Sequence, residues 1–71
     1  MTEKHTLNDI LTTGDGSENT PFIVTDIAQE RLVLNHLGKI MNMQRLVTVK
    51  FKPHDCIECS DGTSVWFDVS Q

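Results

Sequence analysis

The dipeptide Asp61-Gly62 constrains this chain more than any other pair of neighbours. It lies between two runs of strand-forming residues, Asp55 to Ser60 and Thr63 to Val69. In that setting an Asp-Gly pair supplies the positive φ angles of a two-residue type I′ hairpin turn. A two-residue turn fixes the register: Ser60 faces Thr63, Glu58 faces Val65, Ile57 faces Trp66 and Cys56 faces Phe67. Side chains alternate across a strand, so Val65, Phe67 and Val69 share one side with Cys56. Trp66 and Ile57 share the other with Asp55, Cys59 and Asp68. A preceding strand, Arg45 to Lys52, adds Val47, Val49 and Phe51 to the first side and Leu46 and Lys50 to the second. Proline cannot take the positive φ of a type I′ turn, so the Pro53-His54 connection is expected to be a type I turn or a longer loop.

The same reasoning places a helix upstream. Asp26 can cap it, Gln29 can reach back, and Gly38 follows the last apolar residue, which bounds the helix at Ile27 to Leu37. Ile27, Val33, Leu34 and Leu37 fall on one side at helical period, while Ala28 and Leu32 widen the apolar area onto a second flank. Phe22-Ile23-Val24 reads as a short strand. Thr12 to Pro21, TTGDGSENTP, is rich in turn formers and reads as a loop. Before it, Leu7, Ile10 and Leu11 behind a possible Thr6 cap form a short helical turn. The fold class expected is α+β: one main helix and a short N-terminal helical turn on a three- to four-stranded antiparallel sheet ending in a β-meander. Residues 1–71 form a single domain in this reading.

With 71 residues, such a domain buries only about 60% of the surface its unfolded chain exposes. Small chains gain the missing burial from disulfides, metals or a partner. Two cysteines allow at most one bridge, and the polar start MTEKHTLNDI holds no apolar run of the secretory or membrane-spanning kind. A cytoplasmic setting with free thiols follows, and a partner subunit, giving a homodimer, becomes the source of extra burial. The formal net charge is −4, and Lys4, Arg31, Lys39, Arg45, Lys50 and Lys52 are scattered. Nucleic-acid binding needs clustered cations and is disfavoured. No basic amphipathic stretch suits a membrane surface.

Each chemical motif has a plainer structural reading. His54, Cys56 and Cys59 spell H-x-C-x-x-C, but zinc needs convergent ligands, and strand positions three apart lie on opposite faces. Cys56 is expected in the core and Cys59 as a surface or interface thiol, with no metal or other cofactor. Asp55 and Asp68 would face each other almost directly. Such a pair either frays or is neutralised by Lys52 or His54, or else splits its pKa values for acid-base work. Gly14-Asp15-Gly16-Ser17 matches neither phosphate-loop nor dinucleotide pattern. It reads as a turn, with Asp15, Ser17 and Glu18 as a weaker calcium alternative. His5, His36 and His54 are scattered, no serine has a Ser-His-Asp setting, and no catalytic residue is assigned. Trp66 is either an interface residue or core beneath the N-terminal segment. As an interface it would act with Ile57, Leu46 and Lys50.

The stretch GDGSENTPFIVT, the helix ending LNHLGK, Gln44 and the ending DGTSVWFDVS resemble a family of short bacterial single-domain proteins of the kind carried on mobile integron gene cassettes. The resemblance spans nearly the whole chain and implies a bacterial, accessory context with no defined activity. The leading expectation is a non-enzymatic interaction module that self-associates or binds another protein. The alternative is a ligand-binding or catalytic protein with a pocket between the GDGS loop and the Asp55, Asp68 and His54 end of the sheet. A toxin or phage antagonist of acidic character is a third option.

Overall fold

The computed structural model describes residues 7–70; the expected Thr6 cap and His5 lie outside them. Two helices and four strands follow in the order α1 (Leu7–Leu11), β1 (Phe22–Ile23), α2 (Ile27–Leu37), β2 (Met41–Val49), β3 (Lys52–Cys59) and β4 (Ser64–Asp68). This is the expected α+β class, with a C-terminal meander in the sheet order β1-β4-β3-β2. The sheet is mixed, because β1 runs parallel to β4 while the other pairs are antiparallel. Strands β1 and β2 therefore run parallel at opposite edges, and the connection through α2 spans the two strands between them.

The main helix begins and ends where its caps dictate. Asp26 Oδ1 accepts from the Gln29 backbone N–H at 2.9 Å, and Gln29 Oε1 accepts from the Thr25 N–H at 2.7 Å. At the other end the Gly38 N–H donates to Asn35 O and the Lys39 N–H to Leu34 O, which satisfies two terminal carbonyls. Its inward residues are Glu30, Val33 and Leu34. Ile27, Leu32 and Leu37 remain exposed, so the buried stripe is narrower than expected and has a carboxylic acid at its centre.

The β3–β4 hairpin corrects the expected register by one residue. Cys59 N–H donates to Thr63 O, and Gly62 N–H donates back to Cys59 O, leaving a loop of Ser60, Asp61 and Gly62 with Gly62 at φ 87°. Three loop residues rather than two make the pairs Glu58–Ser64, Ile57–Val65, Cys56–Trp66, Asp55–Phe67 and His54–Asp68. A one-residue slip sends a strand's side chains to the other face. Asp55, Ile57 and Cys59 thus join Val65 and Phe67 beneath the helix, and His54 and Cys56 join Trp66 on the far side. On β2, Gln44, Leu46 and Thr48 pair with Ile57, Asp55 and Pro53, whereas Val47 and Val49 lie on the Trp66 side.

The core consists of Ile10, Phe22, Val24, Val33, Leu34, Ile57, Cys59, Val65 and Phe67. Phe22 and Phe67 meet at a ring-centroid distance of 5.9 Å with a 37° tilt, a favourable offset aromatic contact. Thr13 fastens α1 to the sheet: its hydroxyl donates to Ile10 O and accepts from the Ile23 N–H.

Strand β2 starts four residues earlier than expected, at Met41, with an irregularity between Met41 and Met43. Its turn to β3 is Lys50-Phe51, not Pro53-His54. Both turn residues have positive φ, 52° and 68°, and neither is glycine. Pro53 instead stands inside β3, where its carbonyl accepts from the Val69 N–H. Left-handed backbone costs a non-glycine residue about 1–2 kcal/mol, and Phe51, 99% exposed, gains no burial in return. Replacing the pair by Asn-Gly (Lys50→Asn with Phe51→Gly) should raise stability by about 1–2 kcal/mol, seen as a higher thermal midpoint. An unchanged or lowered midpoint would show that the turn is not strained.

Candidate functional site

The meander and α2 together enclose a cleft of about 430 Å³ between the helix and the edge strand. The helix covers the sheet over β3 and β4 but leaves part of the inner face of β2 open: Leu46, on that face, is 73% exposed. Ile27, Leu34, Ile40 and Met41 give the cleft apolar walls, and Glu30, Arg31, Lys39 and Gln44 add polar groups. Its most unusual member is Glu30, 3% exposed, whose Oε2 meets no hydrogen-bond partner among the described residues.

Glu30 comes from the middle of α2 and Asp55 from β3, whose corrected register turns Asp55 inward. Their carboxyl groups are within hydrogen-bonding reach. Burial, the hydrogen bond to Asp55 and the charges of Asp55 and Asp26 push the Glu30 pKa up to about 8. Glu30 is therefore mainly protonated at neutral pH and can donate to the Asp55 carboxylate. Gln44 Nε2 supplies a second donor, to Asp55 Oδ2 at 2.9 Å. The arrangement is a proton-sharing carboxyl pair steadied by an amide. Lys39, an amine lining the cleft, is held by Asp61 and Thr63 at 2.8 Å each, and among the described residues no serine, threonine or cysteine lines the cleft.

The residues singled out from the sequence separate in space. Ile57 is fully buried in the core and Trp66 is partly buried on the opposite face, so they do not form one patch. Leu46 lies on the helix side at the edge, and Lys50 belongs to the positive-φ turn. Trp66 pairs with Cys56 across the far face, between Ser64 and Asp68. Its own N–H donates to Gly16 O at 2.7 Å. Cys56 and Cys59 do point to opposite faces, and Cys56 is buried as expected, on the Trp66 side; Cys59, expected at the surface, is buried too and belongs to the core cluster beneath the helix. Burial, followed by the Asp61 charge, raises the Cys59 thiol. Among the described residues no three His, Cys, Asp or Glu side chains are placed to hold a metal.

Asp55 and Asp68 do not face one another. Asp68 pairs with His54. Burial pushes the Asp68 carboxyl up, but the Ser70 hydroxyl and amide, with His54 and Lys52, more than offset this and hold it below the usual range. Glu18 and Asn19 join His54, Asp68 and Lys52 around a second, smaller cleft of about 210 Å³. Of the expected grouping, His54 and Asp68 meet at this cleft, whereas Asp55 and the Gly14-Asp15-Gly16-Ser17 residues do not line it. Asp15 is absorbed by its own loop: its carboxylate accepts from the Ser17 N–H, and its pKa is lowered by Ser17 and Thr20.

Sequence reasoning missed Glu30. The available signal was its position between Ile27 and Leu34 on the apolar stripe, where a charge is out of place unless it has a partner.

Fold and cleft define the class: a two-layer α+β domain with a carboxyl pair beneath its helix. No family model, curated protein or solved structure matches the chain. No helix among the described residues is long and apolar enough to cross a membrane.

Proposed function

We propose that this protein is a non-enzymatic interaction module that self-associates as a homodimer through the β2 edge. One observation carries this reading: β2 is a nine-residue edge strand whose outer side pairs with no other strand among the described residues, with Met41, Met43 and Leu46 exposed. Edge strands are normally protected by lysines, prolines, short length or a covering element. The one charged residue of β2 is Arg45, and Glu58 holds it at 2.9 Å. Exposed Ile27 and Ile40 extend the apolar surface around the cleft. A second copy pairing β2 with β2 satisfies the unpaired backbone and covers Leu46, supplying burial that so small a chain lacks. The two-fold arrangement is closed, as expected of an isologous contact. The resemblance to cassette-borne bacterial domains adds an accessory role without a reaction.

Sedimentation at micromolar concentration should show a dimer for the native chain and a monomer for Leu46→Lys. Leu46 is so exposed that its loss should change folding stability by no more than about 0.5 kcal/mol. Trp66→Ala, on the other face, should leave the dimer intact. A native monomer, or a Leu46→Lys dimer of unchanged affinity, would refute this interface.

A further inference from the structure

We propose that the cleft between α2 and β2 binds a small organic ammonium ion, its charge held by Glu30, which lines the cleft with Asp55 beside it, and its apolar body by Ile27, Leu34 and Met41. Glu30 is almost wholly buried, forms part of the cleft lining, and its Oε2 has no partner among the described residues. Buried polar atoms in folded proteins are nearly always paired, and an exception calls for a missing partner. The partner's chemistry follows from the surrounding groups. Two carboxyls meet here with Gln44 as their neutral donor, and neither is in an ion pair among the described residues. With one proton shared the pair keeps one negative charge, and a donor carrying positive charge both displaces that proton and gives Oε2 the partner it lacks.

The volume of about 430 Å³ falls within the range of small-molecule sites, whose walls are mainly apolar with a few placed polar groups. The remaining charges set the ligand's form. Asp26, at the helix cap, adds negative potential at Glu30. Arg31 lines the cleft, and Lys39 does so while bound to Asp61. These cations oppose a second positive charge, so a monoamine is preferred to a diamine. On binding, the ammonium keeps its protons, and the Glu30 carboxylic acid releases its own to solvent. Affinity therefore rises with pH until Glu30 is ionised without the ligand.

Benzylammonium is a suitable probe and benzyl alcohol its neutral counterpart. Calorimetric titration of the whole protein at pH 7, in two buffers of different ionisation enthalpy, should show saturable one-to-one binding of the amine. Release should approach about one proton per ligand. Benzyl alcohol should bind at least about tenfold more weakly, and Glu30→Gln should weaken the amine by about tenfold and abolish the proton release. Amide resonances of Ile27, Leu34 and Gln44 should shift on binding to the native chain. Equal affinity for alcohol and amine, an unaffected Glu30→Gln variant, or no saturable uptake would each overturn the proposal. Leu46 does not line the cleft, so the same titration on Leu46→Lys tests the ligand site independently of the dimer.

Discussion

Gly16→Ala is expected to cost about 3 kcal/mol, a large part of the stability available to a domain of this size. Two separate terms add at this position. Gly16 has φ 85°, a conformation that costs a side-chain-bearing residue about 1–2 kcal/mol. A Cβ there would also stand 2.7 Å from Phe22 Cε2 and 3.3 Å from Val65 Cγ1. Both neighbours belong to the core, and forcing them aside adds about 1–3 kcal/mol. The backbone has little room to yield. Gly16 N–H donates to Thr20 O at 3.0 Å and Gly16 O accepts from the Trp66 N–H at 2.7 Å. The expected drop in thermal midpoint is about 15 °C. Gly62→Ala provides the control, because Gly62 has nearly the same φ, 87°, with nothing within 4 Å of an added Cβ. It should lose only the backbone term, and chemical denaturation of the two variants separates that term from the contact. Equal losses would mean that the GDGS loop does not lean on the core as described.

That loop illustrates what the sequence could and could not convey. Its turn character was legible because Gly, Asp, Ser and Thr act on their own backbone: Ser17 and Thr20 bond one another, and the Asp15 and Gly16 N–H groups both reach Thr20 O. The contact of Gly16 with Phe22 was not, since it depends on tertiary placement. Helix α2 was legible to the residue because Asp26 and Gly38 terminate it through local hydrogen bonds. The hairpin was legible in position but not in register. Asp61-Gly62 serves equally in a two-residue turn and in a three-residue loop ending on a left-handed glycine. Here the Asp61 carboxylate accepts from both the Thr63 N–H and its hydroxyl, bonds compatible with the longer loop. One residue of slip then moved Ile57 and Asp55 into the core side, and with them the site. The Lys50-Phe51 turn carried no signal, because neither residue favours positive φ, whereas Pro53 suggested a turn that occurs elsewhere.

Glu30→Gln should stabilise the protein at pH 8 by on the order of 2 kcal/mol and leave its stability at pH 5 nearly unchanged. The sign follows from which state holds the proton. Glu30 titrates at about 8 when folded, against its ordinary 4.5. Below the ordinary value both states are protonated and burial carries no charge penalty. Between 4.5 and 8 the unfolded chain releases a proton that the folded chain retains, so stability falls as pH rises. Above 8 the folded chain must hold two charged carboxyls side by side. The lowered carboxylates act in the opposite sense and in another window: Asp15, Asp61 and Asp68 add stability above their ordinary values, which is lost as pH falls through their lowered folded values. Their effect is nearly complete by pH 5. Subtracting the variant's stability from that of the native chain at each pH therefore isolates Glu30. The amide retains the side-chain volume and can still donate to Asp55, so the fold has no reason to change. Urea denaturation at half-unit steps from pH 5 to 8 should give a native curve that descends towards alkaline pH and a variant curve that descends less. Parallel curves would show that Glu30 is not buried against Asp55, and the carboxyl pair would no longer be available to hold a cation in the cleft.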